Sequence, residues 1–125
     1  MKFLCLIHLN EEELDAMPAE EMNSLNKLHL EFNNGLRKSG HFIEAEALEP
    51  SAATARVRVR KGKTTTVVDG PFAESKELVA GFYLIEAADL REATQIASRI
   101  PSAPLGTIEV RPTRKLIVDG VARDA

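Results

Sequence analysis

The chain divides by its hydrophobic rhythm. Residues 2–8 are apolar at odd and even positions alike, with Phe3, Cys5 and Ile7 on one side and Leu4 and Leu6 on the other. That is the pattern of a strand covered on both faces. Asn10 to Glu13 interrupt it with polar and acidic side chains. Met22, Leu25, Leu28, Phe32 and Leu36 then recur at helical spacing, which predicts an amphipathic helix. Pro18 suits its first position, Glu20 and Glu21 suit the positive end of its dipole, and Lys38 with Gly40 closes it. Residues 41–48 are a less regular strand candidate. In Thr54–Lys61, Val57 and Val59 alternate with Arg56, Arg58 and Arg60, and Lys61-Gly62-Lys63 forms a Gly-centred hairpin turn into Thr64–Val68. Gly81–Ala87 predicts another strand, with Phe82 and Leu84 against Tyr83 and Ile85. Asp89 caps a second helix carrying Leu90, Ala93, Ile96 and Ala97, stopped by Pro101 and Pro104. Thr107–Arg111 predicts the last strand. Residues 115–125 show no periodicity and read as a C-terminal tail, flexible or held by a partner, after one domain over residues 1–114.

This order predicts the α+β class: a ferredoxin-like βαββαβ pattern with an inserted β-hairpin. Two helices cover one face of such a sheet. The strands at 2–8 and 81–87 are apolar on both faces, so the second face needs a cover. A second copy of the same chain is the commonest cover, and a homodimer is expected.

Composition narrows the functions. A chain of 125 residues with 44% hydrophobic and 28% charged residues is a soluble globular type. A net charge of −3 gives no electrostatic case for nucleic acid or an anionic membrane surface. No stretch approaches the roughly 20 apolar residues of a membrane span. The start resembles a signal peptide only briefly before the acidic residues, so a cytoplasmic location is expected. The single cysteine, Cys5, excludes an internal disulfide and a cysteine-based zinc cage, and its apolar strand makes it a buried thiol. No metal-binding spacing and no nucleotide or nucleophile-elbow string occurs, so neither metal nor cofactor is expected.

The candidate chemistry is sparse. Asp69-Gly70-Pro71-Phe72 follows a strand, and Asp-Gly and Gly-Pro are turn signals. Two readings stand: a plain turn in which Asp69 caps its own backbone, or a carboxylate held at a strand end for chemistry. His29 lies on the inward stripe of the first helix, either as a hydrogen-bonded core histidine or as a group poised near neutral pH. His8 ends the first strand, as a cleft residue or an exposed terminus. For His41, contact with the last helix carbonyls is a sufficient role. The Arg56, Arg58, Arg60 row is a solvated sheet face, or a basic rim in which Arg58 attracts an anionic small-molecule ligand. Tyr83, the only tyrosine, is expected in core or interface packing.

The strings Arg56-Val57-Arg58-Val59-Arg60-Lys61-Gly62-Lys63, Asp69-Gly70-Pro71-Phe72-Ala73-Glu74-Ser75-Lys76, Gly81-Phe82-Tyr83-Leu84-Ile85-Glu86 and Ile108-Glu109-Val110-Arg111-Pro112 resemble the YCII-related family. The resemblance is to the branch named for its Asp-Gly-Pro-Phe motif (the DGPF domain). It implies a dimeric α/β barrel, in which two ferredoxin-like sheets pack face to face, and a His–Asp active site. By position the histidine falls on His29, and we pair it with Asp69. The expected function is cofactor-free acid–base chemistry on a small polar or aromatic molecule. The alternative is a non-enzymatic dimeric ligand-binding or regulatory module. Within that alternative, the family's association with extracytoplasmic-function sigma factors implies a regulatory role linked to such a factor, although this chain has no attached sigma-like region.

Overall fold

A computed structural model of the protein describes residues 1–68 and 77–125. Residues 69–76 lie outside the described residues, and with them Asp69 and the turn expected there. The elements are β1 (Lys2–Asn10), α1 (Glu11–Asp15), α2 (Ala19–Lys38), β2 (Phe42–Ala47), β3 (Ala55–Arg60), β4 (Lys63–Val68), β5 (Glu77–Glu86), α3 (Leu90–Ala97), β6 (Gly106–Pro112), β7 (Leu116–Val118) and β8 (Val121–Arg123).

The main sheet has the order β2-β5-β1-β6, and each neighbouring pair is antiparallel. This is the ferredoxin-like α+β arrangement, with the β3–β4 hairpin inserted between neighbours β2 and β5. Alternation along β1 decides its faces. Phe3, Cys5, Ile7 and Leu9 are buried, whereas Leu4, Leu6 and His8 are half-buried. The buried set joins Tyr83 and Ile85 of β5 and Ala93, Ile96, Ala97 and Ile100 of α3 and its exit in one core. Asp89 caps α3 by accepting from the Glu92 N–H at 2.9 Å. Each such cap is worth about 1 kcal/mol.

Several local outcomes differ from the sequence pattern. Asn10 to Glu13 is not only a break: Asn10 accepts from the Glu13 N–H and starts the one-turn helix α1. Pro18 is the N-cap of α2, one position before its first helical residue. Leu28 is 51% exposed, because the inward stripe runs Met22, Leu25, His29, Phe32 and Leu36, and a residue one position from His29 turns to the flank. Strand β5 begins at Glu77 rather than Gly81. The tail is a correction of another kind. Residues 116–123 form the β7–β8 hairpin, closed by Asp119 and Gly120 with φ of 50° and 77°. Positive φ at both turn positions is the requirement of the tightest hairpin turn, which Asp-Gly meets. Lys61 and Gly62, with φ of 53° and 76°, close β3–β4 in the same way.

Candidate active site

Helix α2 lies over β2 and β5 but does not seal against them. Leu36 is its only buried residue. Its C-terminal end is pinned: Arg37 stacks over the Phe42 ring at 4.2 Å, and the His41 N–H donates to the Leu36 carbonyl at 2.9 Å. Farther back the sheet beneath the helix presents Ala45, Ala47, Ala80 and Gly81. Small side chains there leave space that α2 does not fill. A register shift beside Ile7 places Ala80 as an extra residue of β5, and such bulges re-aim side chains locally. The result is a cavity of about 550 Å³, bordered by apolar Ile7, Leu9, Leu14, Met22 and Leu25 and by the polar side chains of His29, Asn33, Tyr83 and Ser102. That volume is within the usual range for small-molecule sites, roughly 300–1,000 Å³.

His29 and Tyr83 meet in this cavity. The His29 Nδ1 is 2.8 Å from the Tyr83 hydroxyl, and the rings stack at 22° with centroids 6.1 Å apart. Phe32 packs edge-on to Tyr83, centroids 5.6 Å apart. Burial lowers the His29 pKa from its ordinary value, since an imidazolium loses hydration there. Burial likewise pushes the Tyr83 hydroxyl up to about 12. At neutral pH both groups are therefore uncharged. The sequence pattern predicts packing for Tyr83. The structure shows that packing and adds a polar role, because the hydroxyl reaches the one histidine on the inward stripe.

The other candidates stand elsewhere. His8 lies on the opposite face of β1 from Ile7 and Leu9, where its Nε2 pairs with the Glu109 carboxylate at 2.9 Å. It does not join His29. Arg58 is exposed on the β3–β4 hairpin and does not border the cavity. Val57 and Val59 on that hairpin are 65% and 54% exposed, so the face that they share is not covered among the described residues. The His41 ring donates to the Glu86 carbonyl, 2.8 Å away, rather than to a carbonyl ending α2. Cys5 is buried, and burial pushes its thiol up to about 11, away from nucleophilic use. Among the described residues no group of three or more His, Cys, Asp or Glu converges as metal ligands. Among the described residues no helix is long and apolar enough to cross a membrane. Sequence reasoning missed Asn33 and Ser102. Asn33 was legible as the residue one helical turn beyond His29; Ser102, between two prolines, carried no local signal.

The model of the YCII-related domain family matches residues 1–117. An uncharacterized protein of Rhizobium meliloti (strain 1021) is 48% identical over 77 residues, which span 60% of this chain and 61% of that relative. The chain belongs to the YCII-related family, and the site just described lies inside the matched region.

Proposed function

We propose that this YCII-related protein binds a small, largely apolar molecule bearing a hydroxyl or carbonyl group in the cavity under α2, and that His29 exchanges a proton with it. The observation that carries the reading is the 2.8 Å contact between His29 and Tyr83 inside a cavity of about 550 Å³. A neutral imidazole is a competent base, and a tyrosine held protonated is a competent donor. When Nδ1–H donates to the Tyr83 oxygen, Nε2 keeps a free lone pair to accept a proton from the ligand. The Tyr83 O–H is then free to donate to a ligand oxygen that gains negative charge. That arrangement suits an enolisation, isomerisation or elimination without a cofactor. Asp69 is the expected charge partner of the imidazolium that forms.

The test is a thermal-shift screen of small hydroxy and carbonyl compounds, followed by assays of exchange or turnover on any binder. His29→Gln and Asp69→Asn should keep the fold and lose proton transfer, by about 10²–10⁴-fold if His29 is the acid–base group. A fully active His29→Gln variant would end the reading.

A homodimer belongs to the same proposal. Leu4, Leu6, Phe82 and Leu84 form a half-buried apolar strip on the sheet face away from α2 and α3. Ile117 and Val121 of the C-terminal hairpin are 67% and 51% exposed. A second copy would cover the strip and these edges together.

A further inference from the structure

Two residues on the polar border of the cavity each carry a buried oxygen without a hydrogen-bond partner among the described residues. Ser102 is 2% exposed, yet its Oγ makes no hydrogen bond among the described residues. The Asn33 Oδ1 is buried and equally unpartnered among them. Both residues border the cavity that holds His29 and Tyr83. They arrive from different parts of the chain: Asn33 stands one turn beyond His29 on α2, and Ser102 lies between α3 and β6.

Buried polar atoms nearly always find partners, and an exception needs a cause. Two exceptions in residues that border one cavity, beside its hydrogen-bonded His–Tyr pair, share a cause most simply if the missing partner is a ligand toward which each side chain turns. We propose that Ser102 and Asn33 are ligand-binding residues, and that they select a neutral, dihydroxylated ring compound. The inference rests on the cavity under α2 being the binding site.

The chemistry of the border fixes the class. An amide oxygen only accepts, so the ligand must bring an O–H or N–H to Asn33. The Ser102 hydroxyl can donate or accept. No Lys or Arg borders the cavity among the described residues, so an anionic ligand would enter without a counter-charge. Asn26 and Glu46 also border the cavity, and the Glu46 carboxylate further disfavours an anion; the rest of the lining, including Ile7, Leu9 and Met22, is mainly apolar and suits a ring. One hydroxyl of the ligand faces the His29–Tyr83 pair, and another donates to the Asn33 Oδ1 and accepts from the Ser102 hydroxyl.

The experiment uses the three dihydroxybenzene isomers as probes, with toluene and benzoate as controls. Binding is measured by titration calorimetry, and ligand-free melting temperature is recorded in parallel. At least one isomer should bind more tightly than toluene or benzoate. Ser102→Ala and Asn33→Leu should each weaken that isomer about tenfold, the effect of losing one buried hydrogen bond, and leave toluene unchanged. Ligand-free Ser102→Ala should melt at or above the wild-type temperature, because it deletes a buried hydroxyl without a partner. If Ser102→Ala clearly lowers the ligand-free melting temperature, the hydroxyl has a structural partner and the inference falls. If an isomer binds both variants as tightly as wild type but loses affinity for His29→Gln, the inference falls and the site stands. If no isomer binds the wild-type protein, the inference falls; the site falls with it only if the screen of hydroxy and carbonyl compounds also finds no binder that His29→Gln weakens.

Discussion

Replacing Tyr83 by Phe removes one oxygen from the centre of the proposed site and little else. The ring remains, and with it the edge contact to Phe32 at 5.6 Å. Tyr83 is 3% exposed, so the new side chain stays enclosed and opens no cavity larger than the lost hydroxyl. What disappears is the 2.8 Å hydrogen bond to His29. A bond of this kind contributes about 0.5–1.5 kcal/mol net, because the unfolded chain recovers it with water. The His29 ring borders an open cavity, so water can reach Nδ1 and the larger penalty of a sealed, unsatisfied partner does not apply. For a domain of this size, 1 kcal/mol corresponds to roughly 3–5 °C in Tm, so Tyr83→Phe should lower Tm by about 2–7 °C. The decisive measurement is a double-mutant cycle with His29→Gln, by denaturant unfolding. If the two side chains interact as described, the coupling energy should be about 0.5–1.5 kcal/mol. Additive losses, with coupling below about 0.3 kcal/mol, would show that the two are neighbours rather than partners. The acid–base unit would then reduce to His29 alone.

The remaining predictions concern pH, packing and assembly. Burial holds the folded-state His29 pKa below its unfolded value of 6.5, so below that pH the unfolded chain binds more protons and stability falls on acidification. The loss begins as pH drops through the unfolded value and is complete below the folded one. His29→Gln should therefore lose less stability than wild type between pH 8 and pH 5, measured by urea midpoints; equal losses would mean that His29 titrates normally. Gly81→Ala should destabilise by about 1–3 kcal/mol, because the new Cβ would lie 2.8 Å from the Glu46 carbonyl oxygen, a backbone atom that cannot rotate aside; an unchanged midpoint would show that β2 and β5 separate freely. Leu6→Glu places a charge within the apolar strip of the second sheet face, and sedimentation equilibrium should show a dimer for wild type and a monomer for the variant; a wild-type monomer at micromolar concentration would refute the proposed dimer.

The fold was legible because its strands and helices obey local rules. Two-sided apolar runs marked β1 and β5, Asp89 marked the start of α3, and Lys61-Gly62 marked the hairpin. The connection order then left the ferredoxin-like sheet as the simple solution. Val118-Asp119-Gly120-Val121 carried an equally good hairpin signal, but the tail flanking it has no alternation, and the turn residues alone decide the outcome there. The site was half legible. His29 is a polar residue on an apolar stripe, which is visible at helical spacing. Its contact with Tyr83 joins positions 54 apart in sequence, and no local period connects them. Ser102 was invisible for the same reason, since its burial depends on how the segment after α3 folds back beneath α2. Asp69, the residue that the turn chemistry singled out, lies outside the described residues, so its pairing with His29 rests on its variant.

Under the proposed function, stability and chemistry fall to different helices of this fold. Helix α3 buries Ala93, Ile96 and Ala97 against the sheet, and these small and medium side chains let it sit close to β1 and β6. Helix α2 is the longer element, with 20 residues, yet it buries only Leu36. Its inward stripe includes His29 and Asn33 where an apolar pair would have closed the gap to Ala45, Ala80 and Gly81. Leucines at both positions would be expected to fill space and add hydrophobic burial, each worth about 1.5–3 kcal/mol if fully enclosed. The sequence forgoes that stabilisation on one helix while packing the other well. A fold selected only to hold a sheet together has no reason for such asymmetry. The ring-sized ligand proposed beside His29 and Tyr83 would supply one, with the well-packed α3 side holding the sheet beneath it.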